Sequence, residues 1–331
     1  MVCRALRAGV AVASIAALAQ PPALAQAPAL AQAPPQIQSP EVATPPAVIR
    51  ARTDLVHFGV SVTDKRGGAV SGLAAGDFEI VEDDVPQVVS TFASGTGDTA
   101  ADLHLGVMFD SSESMLASID AARTAAIRVL NRLAEAELVT LVEFDDSVRL
   151  SQFSPDNFPR LVERIRGGKP AGSTALYDAF ATYLEQADGS TGRHVLVAFT
   201  DGGNSSSRTS YSHLTALARA SQATIYVVGL LEHVPIGGRA QFELRLRRIA
   251  EETGGRAVFP HSMKQIDAAY DRIVDEVRSQ YSLGYVSSNS RQDGQWREVR
   301  IRLVRPEHKD LRIRTRAGYY SPASAPSVPD P

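Results

Sequence analysis

The sequence predicts an α/β fold: a doubly wound, mostly parallel sheet, inserted in a small β-sandwich formed by flanking N- and C-terminal segments. Three observations predict it. Between about residues 102 and 280, short apolar runs alternate with helical patterns, which places helices on both faces of a parallel sheet. The segments on either side, 48–95 and 281–320, switch to the two-residue alternation of half-buried strands. Neither flank holds enough strands to bury a core of its own, so joining both into one sandwich is the economical arrangement.

Along the chain, residues 1–25 read as a secretory signal peptide. Arg4 and Arg7 precede an apolar run from Ala8 to Ala19, and small-residue cleavage sites follow at Ala17-Leu18-Ala19, Ala23-Leu24-Ala25 and Ala29-Leu30-Ala31. The triplicate Ala-Leu-Ala-Gln leaves the cut point open among three places. The run is too short to span a bilayer comfortably, and no other segment approaches about 20 apolar residues, so the protein is expected to be exported, periplasmic or secreted, and not transmembrane after cleavage. Cys3, the only cysteine of the 331 residues, precedes the apolar run and leaves with the signal. Disulfides, thiol nucleophiles and zinc-thiolate sites are thereby excluded from the mature chain. Residues 26–47 form a Pro/Ala/Gln-rich linker. A net charge of -3 gives no global reason to expect nucleic acid as a partner.

The first flank, 48–95, opens with Leu55 to Asp64, where Val56, Phe58, Val60 and Val62 alternate onto one face and Lys65-Arg66-Gly67-Gly68 forms the turn. Further strands are expected at Phe78 to Val81 and Val88 to Phe92, with Glu82-Asp83-Asp84-Val85-Pro86 as the turn between them. In the insert, 101–280, the strands are Leu103 to Phe109, Leu138 to Phe144, Val148 to Phe153, His194 to Thr200, Thr224 to Leu230 and Arg256 to Phe259. The helices are Leu116 to Ala134, Ala175 to Ala187, Arg239 to Glu252 and Lys264 to Gln280. The second flank, 281–320, contributes Trp296 to Leu303 and Leu311 to Arg316, with Val299, Ile301, Leu303, Leu311 and Ile313 facing inward. If those two strands pair, Arg300, Arg302, Arg312, Arg314 and Arg316 share the opposite face. That row reads either as a solvated outer surface or as a contact for an anionic envelope surface. Residues 321–331 read as a disordered tail.

Chemistry concentrates at the ends of two buried strands. Val107-Met108-Phe109-Asp110-Ser111-Ser112-Glu113-Ser114 is an apolar run that ends in an aspartate followed by hydroxyls at alternate positions. That spacing lets Asp110, Ser112 and Ser114 converge on one point, with oxygen ligands suited to a hard divalent cation. The same residue types also suit a helix cap. Gly172-Ser173-Thr174 opens another helix, and Val197-Ala198-Phe199-Thr200-Asp201 is a second buried strand ending in an aspartate. In a parallel sheet both carboxylates reach the same edge.

On these residues the insert resembles the von Willebrand factor A domain, a Rossmann-like fold. The metal-ion-dependent adhesion site of that family has the pattern Asp-x-Ser-x-Ser, then a distant Thr, then a distant Asp, which falls here on Asp110, Ser112, Ser114, Thr174 and Asp201. The resemblance implies a bound Mg²⁺, or Ca²⁺ or Mn²⁺, and a protein partner that offers an acidic side chain to it, in adhesion or envelope-complex assembly. The longer chain also resembles the exported bacterial members of the family, through Asp77-Phe78-Glu79-Ile80-Val81-Glu82-Asp83 before the insert and Arg316-Ala317-Gly318-Tyr319-Tyr320 after it. Two residues depart from the pattern. Glu113 stands where a small residue is usual, and its carboxylate is expected to face solvent because alternate residues point opposite ways. Asp84 stands where a turn glycine is usual, and aspartate tolerates that backbone conformation.

No enzyme is expected. There is no Gly-x-Ser-x-Gly elbow, no His-Glu-x-x-His and no Gly-x-x-x-x-Gly-Lys, and the seven histidines are scattered. His104, inside the first buried strand, reads as a hydrogen-bonded core residue. Two alternatives to a binding module stay open: a scaffold whose metal only braces three loops, and, behind it, an unrecognised hydrolase.

Overall fold

A computed structural model describes residues 55–95, 102–188 and 192–323. The signal-peptide and linker assignments and residues 324–331 of the tail lie outside the described residues; the tail's first residues, expected to be disordered, are instead held, with Ser321 buried and its hydroxyl donating to Asp293 Oδ1 at 2.7 Å. The first flank contributes β1 (Leu55–Thr63), β2 (Phe78–Glu82), β3 (Val85–Gln87) and β4 (Thr91–Ala93). The insert then runs β5 (Leu103–Asp110), α1 (Ile119–Arg132), β6 (Leu138–Phe144), β7 (Val148–Phe153), α2 (Phe158–Arg166), α3 (Leu176–Ala187), β8 (Arg193–Thr200), α4 (Tyr211–Ala220), β9 (Thr224–Gly229), α5 (Ile236–Glu252), β10 (Arg256–Val258) and α6 (Met263–Ser279). The second flank adds β11 (Tyr281–Val286), β12 (Trp296–Leu303), β13 (Arg312–Arg314) and β14 (Gly318–Tyr320).

The insert is the mixed α/β unit that its alternation predicts. Its sheet has the order β10-β9-β8-β5-β6-β7, parallel throughout except for the edge strand β7, which returns antiparallel to β6. Both faces are covered. Leu103, Leu105, Val107 and Phe109 of β5 pack with residues of α1, α2 and α6, while Met108 packs on the other side with residues of α3, α4 and α5. Burial on two faces explains why these strands read as continuous apolar runs. Gly106 has a packing reason: an added Cβ would lie 2.4 Å from the Tyr183 ring.

Two four-stranded antiparallel sheets flank the insert, with orders β13-β1-β11-β4 and β14-β12-β2-β3. Each mixes strands from before and after the insert: β1 pairs with β11 and β13, and β2 with β12. One core lies between them, built by the predicted inward residues Val56, Phe58, Val60 and Val62 with Ile80, Tyr281, Leu283, Tyr285, Val299 and Ile301. Burying each of these larger side chains contributes about 1.5–3 kcal/mol, which neither flank achieves without the other.

Several local expectations change. The turn between β2 and β3 is only Asp83-Asp84, both left-handed at φ 45° and 68°, the signature of a two-residue hairpin whose twist matches its strands. Val88 to Phe92 is not one strand. Pro86 lies in β3, an edge strand that tolerates its missing N–H; the chain then crosses to the other sheet, where β4 pairs with β11. The helix expected from Leu116 begins instead as a 3-10 turn over Glu113–Ala117, with buried Met115 holding it down, and becomes α-helical at Ile119. α2 and α4 lie in gaps where helices are expected but the pattern sets no bounds; α2 is short and charged, and α4 follows a serine-rich loop that hides its Ser210 cap.

The arginine row is also overturned, because β12 and β13 do not pair and belong to different sheets. Arg300 is paired with Asp84 and Arg302 with Glu79. Arg314 is paired with Glu276 and donates to Gly254 O at 3.0 Å. Arg316 is buried, lies over the Phe58 ring at 4.4 Å, and donates to the carbonyls of His57 at 2.7 Å and Ser221 at 3.2 Å. Burial lowers its pKa to about 10. Only Arg312 keeps an exposed position in β13. No common cationic face is left for an anionic surface to read.

The sandwich sits at the N-terminal edge of the parallel strands. Gln280, between α6 and β11, is buried and donates to Thr224 at the start of β9 at 3.1 Å; both lie beside Gly59 of β1. Glu276 of α6 is 2% exposed and bridges Arg256 of β10, at 2.8 Å, to Arg314 of β13. Removing that carboxylate strands two arginines at a mostly buried junction. Glu276→Ala is expected to cost about 3–5 kcal/mol in chemical denaturation, the range for breaking a buried pair from one side, whereas Glu135→Ala, at an exposed pair with Arg278, should cost under about 1 kcal/mol.

Candidate metal centre

β5 and β8 are parallel neighbours in register from Leu103 with Arg193 to Phe109 with Phe199. Their C-terminal ends therefore deliver Asp110, Thr200 and Asp201 to one edge, where ligand sites of open α/β sheets form. Asp110 is fully buried. Its Oδ1 accepts hydrogen bonds from the Ser112 N–H at 3.0 Å and the Ser112 hydroxyl at 2.6 Å, and its Oδ2 accepts from the Thr200 hydroxyl at 2.7 Å. The Ser112 and Ser114 hydroxyl oxygens are 3.1 Å apart. Ser112 is fully buried, whereas Ser114 is exposed and forms the solvent side of the cluster.

Thr174 and Asp201 meet on the other side. They are 5% and 6% exposed, and a Cβ added at Gly203 would lie 3.2 Å from Asp201 Oδ1 and 3.6 Å from Thr174 Oγ1. Asp201 Oδ1 accepts from the Gly203 N–H at 3.1 Å. Backbone bonds lock the three loops together. Ala171 N–H donates to Ser111 O at 2.9 Å, Glu113 N–H to Gly172 O at 3.1 Å, and Ser205 N–H to Thr174 O at 2.9 Å, while Thr174 N–H donates to the Ser205 hydroxyl at 3.0 Å. Glu113 is exposed and held through its backbone.

The electrostatics of this cluster are strained. Burial first, and then the negative charge of Asp201, push the Asp110 carboxyl up to about 7, against the lowering effect of the Ser112 and Thr200 hydrogen bonds. Two carboxylates and three hydroxyls form a hard oxygen set of the kind that suits Mg²⁺, Ca²⁺ or Mn²⁺, and a cation between the carboxylates would reverse their repulsion. Among the described residues no group of three or more His, Cys, Asp or Glu side chains is arranged to hold a metal ion. A cation here would rely on the hydroxyls as much as on the charges.

Thr200 and Ser205 were not singled out from sequence. Thr200 was legible only as the last residue of a strand, and its role as a donor to Asp110 needs the register of β5 against β8. His104 proves to be half-buried at the opposite end of β5, 3.7 Å from Glu137 and edge-on to His194 at 4.8 Å, rather than a core residue.

Residues 106–204 match the family model of the von Willebrand factor type A domain. No curated protein matches the chain. Among solved structures, the PilB minor pilin of Streptococcus sanguinis aligns at 14% identity with a TM-score of 0.45, over 56% of this chain and 63% of that one. The pilus adhesin SpaC of Lactobacillus rhamnosus GG aligns at 8% and 0.46, over 74% and 48%. A von Willebrand factor type A protein of Catenulispora acidiphila aligns at 12% and 0.43, over 80% and 74%. The chain thus spans less than two thirds of either pilus protein.

The raised Asp110 pKa sets a pH signature. In the metal-free protein the folded state holds a proton that the unfolded state, with its ordinary value of 3.8, has released. The associated stability is full below about pH 4 and is lost as pH rises through 7. Mg²⁺ should therefore raise the melting temperature more at pH 8 than at pH 5, and Asp110→Asn should flatten both the metal-free pH dependence and the Mg²⁺ response. Thermal unfolding across that range, with and without chelator, measures it.

Proposed function

We infer that this chain, whose residues 106–204 match the family model of the von Willebrand factor type A domain, is an exported module that binds a protein partner through a divalent cation held by Asp110, Ser112, Ser114, Thr174 and Asp201. The observation that carries the reading is the pair of nearly buried carboxylates at the ends of adjacent parallel strands, one of them pushed to a pKa of about 7 by burial and by the other's charge. When bound, Mg²⁺ would supply positive charge and coordination positions that exchange with solvent. The protein groups divide the remaining work. Asp110 and Asp201 offset the charge, the three hydroxyls fix the direction of approach, and Thr200 holds Asp110 in orientation. Ser114, the exposed member, marks the side from which a partner's aspartate or glutamate side chain would enter.

Export is supported by Arg4, Arg7 and the Ala8 to Ala19 run. No helix of the described residues is long and apolar enough to cross a membrane. The module acts by binding rather than by catalysis, at the cell envelope or beyond it, in adhesion or complex assembly.

Two measurements test this. Isothermal calorimetry with Mg²⁺ and Mn²⁺ should show one site, abolished in Asp110→Ala and weakened about 10–100-fold in Thr200→Val, which removes the hydroxyl that donates to Asp110 and accepts from the Gly202 N–H. Immobilised protein should retain Asp- or Glu-containing peptides in Mg²⁺, release them in chelator, and retain none as Asp110→Ala. A cation that binds with full affinity while peptide retention ignores chelator would leave the metal with a bracing role only, and the binding reading would fail.

A further inference from the structure

A second cleft, of about 610 Å³, lies between α4 and α5 of the insert on one side and β12 and β14 of the sandwich on the other, lined by Arg219, Arg248, Glu251, Trp296, Glu298 and Tyr320, among others. It belongs to the N-terminal edge of the parallel sheet, a strand's length from the candidate metal centre: Arg219 is near the end of α4, which leads into the start of β9, and Glu251 near the end of α5, which leads into the start of β10.

The wall is built rather than incidental. Trp296, the only tryptophan of the chain, lies against Gly318, where an added Cβ would sit 2.6 Å from the indole, and meets the Tyr320 ring edge-on at 5.1 Å. Glycine at 318 thus lets the indole lie flat on β14. Tyr320 is 46% exposed. Opposite the rings, Glu252 gathers two guanidinium groups, Arg219 at 2.8 and 3.1 Å and Arg248 at 2.5 Å. Each guanidinium carries five N–H donors, so both keep donors beyond those that Glu252 takes. Glu251 and Glu298 add exposed carboxylate acceptors.

These groups select a ligand class. A polyanion would meet three carboxylates, Glu251, Glu252 and Glu298, against two arginines that share Glu252, a lining with one more negative than positive charge. A cation would meet those arginines. A purely apolar ligand would cover two rings and strand every donor and acceptor around them, at a cost for each. What balances the wall is a neutral molecule with an apolar face for the aromatic rings and an edge of groups that both donate and accept hydrogen bonds. We propose that the Trp296–Tyr320 cleft is a binding site for a neutral oligosaccharide, its C–H face on the rings and its hydroxyls shared between Arg219, Arg248, Glu251 and Glu298. The site is independent of the cation, so it adds a second, differently recognised partner to the molecule.

The lone tryptophan is its own reporter. Full-length protein in chelator, titrated with cellotriose, maltotriose, mannotriose and chitotriose, should show saturable quenching of tryptophan emission with at least one of them. Calorimetry with the responding sugar should then lose at least tenfold in affinity for Glu251→Ala and for Trp296→Phe, two substitutions whose folding is checked by unchanged circular dichroism. No saturable change with any trisaccharide would overturn the proposal. So would a response confined to heparin or another polyanion, and so would full sugar affinity in both variants.

Discussion

The cation site proposed for this molecule depends on one carboxylate that the fold has removed from water. Asp110 is fully buried at the end of the central strand of a six-stranded sheet, where three hydrogen bonds hold it and a second aspartate faces it. Such a group is a poor contributor to stability, because burial disfavours its charge and Asp201 opposes it. The surrounding structure over-determines its position all the same. Ser112 and Thr200 fix both of its oxygens, and the three loops around it are bound to one another through backbone amides. A fold that accepts this cost at one edge of its sheet offsets it with the two apolar layers that cover the sheet on both faces.

The larger architecture follows from where the insert is attached. β5 starts and α6 ends at the same edge of the sheet, so the sandwich strands before and after them meet without a long connection. Their meeting completes a core that neither could enclose. Arg316, Arg314 and Gln280 then fasten sandwich to insert through backbone carbonyls, Glu276 and Thr224. This is why two arginines of the expected surface row, Arg314 and Arg316, are structural: three of their partners are groups of the insert, which strand alternation in the sandwich has no means of revealing.

Much was legible in the sequence, for identifiable reasons. Buried parallel strands must be apolar throughout, so Leu103 to Phe109 and His194 to Thr200 stood out, and their terminal aspartates with them. Inward alternation in Leu55 to Asp64 named four residues of the sandwich core. What escaped was non-local or cooperative. Which sheet β13 joins depends on β1, more than 200 positions away, and periodicity within Leu311 to Arg316 is the same for either partner. The crossing after Gln87 is set by an edge proline and by the vacant side of β11. Thr200 as a support for Asp110 depends on register between two strands, and the Trp296 cleft on two helices brought against β12 and β14 by chain that is distant in sequence.

The attachment of the insert has a mechanical consequence. Chain enters and leaves at one edge of the parallel sheet, while Asp110 and Asp201 lie at the other. Tension between something gripped at the far edge and the body of the protein would run along β5 and β8, parallel to their axes. The hydrogen bonds that join β5 to β6 and β8 would then be loaded together, in shear, rather than peeled open one after another. Glu276 and Arg316 would pass the same load onward into the sandwich, placing the lateral bonding of the central strands in line with the pull.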